Sequence, residues 1–177
     1  MQKLVLSELQ RASVDEVKTL PKVQITLVLD NVRSMHNVGS AFRTADCLAV
    51  QRIFLCGITG RPPHRDIEKT ALGATQSVDW VYFENTADAI AQLRQEGARV
   101  WAVEQTSSSM NLLEFQPSKE VHHAFLFGNE VHGVSDEALP LVDGSLEIPQ
   151  FGTKHSFNVS VALGIVAWDF YQKTRQI

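Results

Sequence analysis

Residues 122–135, HHAFLFGNEVHGVS, decide the fold. An apolar run of strand length stops at Gly128, and a polar, glycine-bounded turn takes over at once. Five further runs have a similar build: ITLVLD (25–30), RIFLCG (52–57), DWVYFE (79–84), RVWAVE (99–104) and SLEIP (145–149). Short runs rich in β-branched and aromatic residues read as strands, and unbroken apolarity marks strands covered on both faces. Helical patterns lie between them. Residues 37–50 place Val38, Ala41, Phe42, Ala45, Leu48 and Ala49 on one face. Residues 86–95 form a second helix, which Gly97 suits as a C-terminal cap, and a weaker helix is expected over 136–141. Residues 156–173 read as a long terminal helix, apolar almost all round through Trp168. Such a helix must be covered by the sheet, by a second subunit, or by both, with Val166 a position where charge would disrupt the packing. Strands alternating with helices indicate an α/β fold with a mostly parallel sheet.

The bulk composition agrees with one core-forming unit. The chain has 177 residues, 44% of them hydrophobic and 20% charged, ordinary values for a globular protein. Its start, MQKLVLSELQRASVDEV, reads as a short amphipathic helix, not a signal sequence. The longest apolar run, Val159–Trp168, is about half of the ~20 residues a membrane helix requires. A cytoplasmic protein that does not enter a membrane is expected. Two cysteines, Cys47 and Cys56, match no zinc spacing and are expected as buried free thiols. The net charge of -4 is unevenly spread: residues 1–75 hold 10 Lys/Arg against 7 Asp/Glu, and residues 76–177 hold 6 against 13. A phosphate-bearing partner would therefore meet the N-terminal half.

Ligands of such folds bind beyond the carboxyl ends of the strands. Five segments there, SMHNVGSAFR, GITGRPPHR, QTSSSM, GNEVHGVS and PQFGTKHSFN, together hold most of the glycine, asparagine, serine and histidine. Asn37 suits a helix cap, where free amides attract anions. Arg43, one turn inside, has Asp46 at i+3; a surface ion pair there would be worth roughly a few tenths of a kcal/mol. The stretch 57–69, GITGRPPHRDIEK, reads as irregular because of its glycines and paired prolines. Arg61, Arg65 and Lys69 within it are candidate phosphate contacts, since cations on a loop grip phosphates without sequence preference. Gly128–Gly133 has neither phosphate-loop nor dinucleotide-fingerprint spacing. It is a tight turn that also offers the Glu130 carboxylate to the rim. Ser156 either caps the terminal helix or, with Asn158, points into a site. His122 and His123 alternate across a strand and cannot chelate together, so no metal site is expected.

Three segments, HNVGSAFRTAD (36–46), FLFGNEVHGVS (125–135) and IPQFGTKHSFNVSVALGI (148–165), resemble in order the three motifs of the SpoU/TrmH family of SPOUT-class RNA methyltransferases. The resemblance spans about residues 22–172. It implies an α/β fold whose C-terminal segment forms a deep trefoil knot, in a methyltransferase domain at 22–177 after a short helical extension at 1–21. It implies a homodimer, S-adenosylmethionine as methyl donor without a metal, and transfer to a ribose 2'-hydroxyl of tRNA or rRNA. By resemblance Asn37, Arg43, Glu130, Ser156 and Asn158 are the catalytic side chains, and Gly128, Ile148 and Phe157 the donor-binding positions. Phe157 departs from the leucine usual there. Because a guanidinium is not normally deprotonated, Arg43 suits a two-pronged grip on phosphate and stabilisation of a developing oxyanion. A noncatalytic RNA-binding protein of the same fold, or a base methyltransferase, are the alternatives.

Overall fold

The structure, a computed structural model, describes residues 2–5, 8 and 12–174. Part of the helix expected at 1–17 falls outside them. Residues 2–5 and 12–13 are not helical, and the helix that forms is α1 (Val14–Thr19), capped by Ser13 and Glu16 in a reciprocal pair of hydrogen bonds.

Seven strands make one sheet: β1 (Val23–Asp30), β2 (Val50–Cys56), β3 (Asp79–Phe83), β4 (Arg99–Val103), β5 (Met110–Asn111), β6 (His123–Phe127) and β7 (Gly144–Glu147). Their order is β3-β2-β1-β6-β4-β7-β5, and every pairing between them is parallel. All five residues of β6 are buried, as are seven of the eight in β1. These two strands sit mid-sheet, which is why their sequences are apolar without alternation. At one edge β3 keeps Asp79 and Val81 exposed. β5, two residues long, is too short to leave a sequence signal.

Parallel pairing demands crossovers, and the helices supply them on both faces. On one face α2 (Met35–Cys47) and α5 (Val159–Thr174) bring Val38, Phe42, Leu163 and Phe170 onto Leu27, Leu29, Phe125 and Phe127. On the other, α4 (Thr86–Gln95) brings Ala89, Ile90 and Leu93 onto Val28, Phe54, Ala124 and Leu126. Successive residues of β1 and β6 thus serve opposite layers, as a period of two requires. Burying each large side chain stabilises the fold by roughly 1.5–3 kcal/mol. Gly97, at φ 78° after α4, donates to Arg94 O at 3.0 Å and ends the helix as expected.

Several local expectations are corrected. Ser34, not Asn37, caps α2, because the chain turns helical two residues earlier than the apolar pattern suggests. Residues 65–69 of the stretch read as irregular belong to α3 (Arg65–Ala71), started by the His64 ring accepting from Asp66 N. The prolines disrupt only what precedes it. The helix expected at 136–141 is a single 3-10 turn, Leu139–Leu141, since Pro140 carries no amide hydrogen to continue it. Cys56 is buried, and burial pushes its thiol up to about 12, but Cys47 is exposed. Val166 is fully buried inside the chain, whereas Val161 and Trp168 on the same helix are 48% and 47% exposed. Among the described residues no helix is long and apolar enough to cross a membrane.

Candidate active site

A cleft of about 640 Å³ opens beyond the carboxyl ends of β4, β6 and β7. Its first wall is the turn after β6. Asn129 and Gly133 exchange backbone hydrogen bonds of 2.8 and 2.9 Å, closing the turn. The Asn129 side chain accepts from the amides of Val131 and His132 and donates to Asn31 O at 2.7 Å. A Cβ on Gly128 would lie 2.0 Å from the carbonyl carbon of Gly133, so only glycine lets the turn close. Beneath it Glu104 accepts from the amides of Gln105 (2.9 Å) and Val134 (3.1 Å), tying β4 to the turn.

Glu130 reaches from the turn to the start of α2. Its carboxylate accepts from Arg33 N and Ser34 N at 3.0 Å each and from Asn37 Nδ2 at 2.9 Å. A helix N-terminus favours negative charge. Burial alone would raise the Glu130 pKa, but these donors outweigh it and hold the group below the usual carboxylate range.

Asn37 carries the connection onward. Its Oδ1 accepts from Asn158 Nδ2 at 3.2 Å, and Asn158 Oδ1 accepts from Ser160 N (2.9 Å) and Ser160 Oγ (2.7 Å). Asn158 therefore caps α5, the task that Ser156 could have taken. Ser156 instead lines the cleft with Gly128, Ile148 and Phe157. Three segments far apart in sequence meet through Glu130, Asn37 and Asn158.

Arg43 stands apart from this network. It is exposed on α2, makes no hydrogen bond or ion pair among the described residues, and is not part of the cleft wall. The ion pair with Asp46 does not form, because Asp46 accepts from Ser77 Oγ. Of the proposed RNA contacts, Arg61 packs 4.1 Å over the Tyr82 ring and Lys69 pairs with Asp66 at 2.6 Å. Arg65 is exposed, with neither kind of partner among the described residues.

Residues 24–168 match the SpoU rRNA Methylase family. The chain belongs to that family. It is 32% identical over 166 residues to a tRNA (guanosine(18)-2'-O)-methyltransferase of Thermus thermophilus, covering 92% of this chain and 82% of the relative. Among solved structures, the A. aeolicus TrmH/SpoU tRNA modifying enzyme superposes with a TM-score of 0.80 at 25% identity, over 90% of this chain and 80% of that one. An AdoMet-bound rRNA methyltransferase from Sinorhizobium meliloti has a TM-score of 0.80 at 25% identity, over 90% of this chain; this chain spans 61% of its length.

Two residues of this SpoU family member escaped the sequence reading. Glu104 ends a strand that looks complete without it. Asp30, at the end of β1, is fully buried and accepts from Thr86 Oγ1 (2.6 Å), Asn31 Nδ2 (2.8 Å) and Ser135 N (2.8 Å). A carboxylate closing an apolar strand is the signal available for both. His123 begins β6, with His122 just before it, at the far end of the sheet from the cleft. They bond separately to Thr26 and Trp101, and burial holds His123 down at about 4.

Proposed function

We propose that the chain is an S-adenosylmethionine-dependent methyltransferase acting on a ribose 2'-hydroxyl of tRNA or rRNA. The observation that carries this reading is the Glu130–Asn37–Asn158 network, which joins the three family-like segments at one cleft. The names of its relatives support the same reaction.

The cleft suits the donor chemically. Glu104, Glu130, Asp136 and Glu147 line it, and no lysine or arginine does among the described residues. Such a lining favours a cation. Leu146, Ile148 and Phe157 provide apolar surface on which an adenine ring can lie. When bound, S-adenosylmethionine supplies a methyl group activated on a positively charged sulfur. Calorimetry should detect donor binding that a chelator does not change.

The protein's own task is alignment. Glu130, ionised and held by amides, fixes Asn37; Asn37 holds Asn158, and Asn158 sets the start of α5 beside Ser156. Aligning a hydroxyl with a methyl group is itself a large part of such a rate enhancement. Arg43, with no partner among the described residues, keeps both prongs of its guanidinium for an RNA phosphate. It is exposed on α2 and stands outside the cleft wall.

Two features of the assembly belong to the proposal. β7 pairs between β4 and β5 although it follows both in the chain, and the segment after it passes the β4–β5 connection, where Gln105 Nε2 donates to His155 O at 2.8 Å. That path supports a C-terminal knot within a methyltransferase domain at 22–177. The exposed Val161 and Trp168 of α5 support a homodimer, for which Val166 no longer serves as a probe. Trp168→Glu should lower the mass measured by light scattering, and a wild-type monomer at micromolar concentration would refute the interface.

The function is tested by mapping 2'-O-methyl groups across cellular RNA with and without this protein. A lost site names the RNA and the reaction together. RNA binding with no lost site would instead indicate a noncatalytic RNA-binding protein.

A further inference from the structure

Phe151 is 96% exposed, the most exposed large apolar side chain among the described residues. It lies in the segment that leaves β7. Gln150 before it and Ser156 after it both line the cleft, so the intervening residues stand on the rim. A Cβ added to the neighbouring Gly152 would have no heavy atom within 4 Å; the segment stands clear of the body. Exposing an aromatic ring of this size is unfavourable unless something covers it.

The surroundings point to the occupant. Residues 128–147 carry five carboxylates and no lysine or arginine, whereas residues 149–158 carry Lys154 and no carboxylate. The rim therefore changes sign where Phe151 projects, and a cation beside a bare ring suits a polyanion with flat bases. Phe151 also has only polar residues or glycine as chain neighbours, from Gln150 to His155, unlike the broad apolar patch of an obligate subunit interface. Single-stranded RNA is commonly held by stacking its unpaired bases on aromatic side chains while cations follow the phosphates.

We propose that Phe151 is a base-stacking residue, holding a nucleobase that flanks the methylated ribose, with Lys154 on the adjoining phosphate. This rests on the RNA methyltransferase reading above. Stacking there adds a positioning contact independent of the donor cleft and of Arg43.

The test measures binding of in vitro transcribed transfer RNA and, separately, ribosomal RNA to wild type, Phe151→Ala and Phe151→Trp. For the RNA that wild type binds, alanine should weaken binding by about ten- to a hundredfold, the usual range for removing a stacked aromatic. Tryptophan should retain affinity and add fluorescence that RNA quenches. S-adenosylmethionine affinity and light-scattering mass should match wild type in both variants. Unchanged RNA affinity in the alanine variant overturns the proposal. So does a fall in mass, which would make Phe151 a subunit contact, or weaker donor binding, which would make it a cover over the cleft. A wild-type protein that binds neither RNA overturns the RNA reading itself, and this proposal with it.

Discussion

In the turn at 128–134 polar groups find partners within the protein: Asn129 makes five hydrogen bonds counting its backbone, Glu130 accepts three, and Glu104 secures Val134 from below. In the facing segment every residue from 151 to 158 is exposed. There, among the described residues, the hydrogen bonds to the rest of the protein are made by His155 O and by Asn158, through its side chain and through its carbonyl, which accepts from Val161 N and Ala162 N. One wall of the cleft is set by the fold before any ligand arrives, and the other keeps its side chains for what binds. The same division runs along α2, where Asn37 is held from both sides and Arg43 has no hydrogen bond or ion pair among the described residues. Preorganised groups fix geometry at no further entropic cost, while free ones can exchange water for a ligand.

Substitutions can break that contrast, the largest effect first. Gly128→Ala would press a Cβ against the backbone of Gly133, where nothing flexible can yield. A loss of roughly 3 kcal/mol or more is expected, read as a lower Tm together with lost donor binding. A variant with wild-type Tm would mean that the turn is less constrained than its hydrogen bonds imply.

Arg43→Lys tests the opposite case, a residue the fold does not use. Tm and donor affinity should be unchanged, while single-turnover methyl transfer falls about a hundredfold, or ~3 kcal/mol. Lysine retains the charge but not the planar two-pronged grip. Transfer near the wild-type rate would reduce Arg43 to a surface residue.

Glu130→Gln sharpens the comparison through pH. Burial raises the Glu130 pKa, and its hydrogen-bond donors together outweigh that effect and hold it below the ordinary 4.5. A carboxyl depressed in the folded state contributes stability that is present above its unfolded pKa and lost as pH falls through its folded one. Between about pH 5 and pH 3, wild type should therefore lose more stability than the glutamine variant. At neutral pH the variant should cost about 1 kcal/mol, because one set of amides meets a donor instead of an acceptor. Parallel acid-unfolding curves would show Glu130 to be dispensable.

The smallest effect concerns the basic segment. Arg65→Ala should make the salt dependence of RNA binding shallower by about one unit, the value for one phosphate contact. Arg61→Ala and Lys69→Ala should change it less, since Tyr82 and Asp66 already engage those side chains. Equal slopes for all three variants would remove the distinction.

The amino-acid sequence by itself determined the α/β class, six of the seven strands, the helix at 86–95 with its glycine stop, and three of the five polar segments as ones that line the cleft. Burial on both sheet faces writes long apolar runs, and glycine writes turns, so these are local signals. Tertiary structure alone decided which polar groups meet. Asn37 was legible as a cap, but Ser34 caps the helix, and that frees Asn37 to join Glu130 and Asn158. Asp46 lay at the right spacing for Arg43, yet Ser77 engages it. Val166 looked available to a partner until the sheet covered it. The strand order, with β7 between β4 and β5, had no local trace either. A hydrogen bond between residues 93 or 121 positions apart leaves no periodicity to read, because its partners become neighbours only after the sheet has brought the strand ends together.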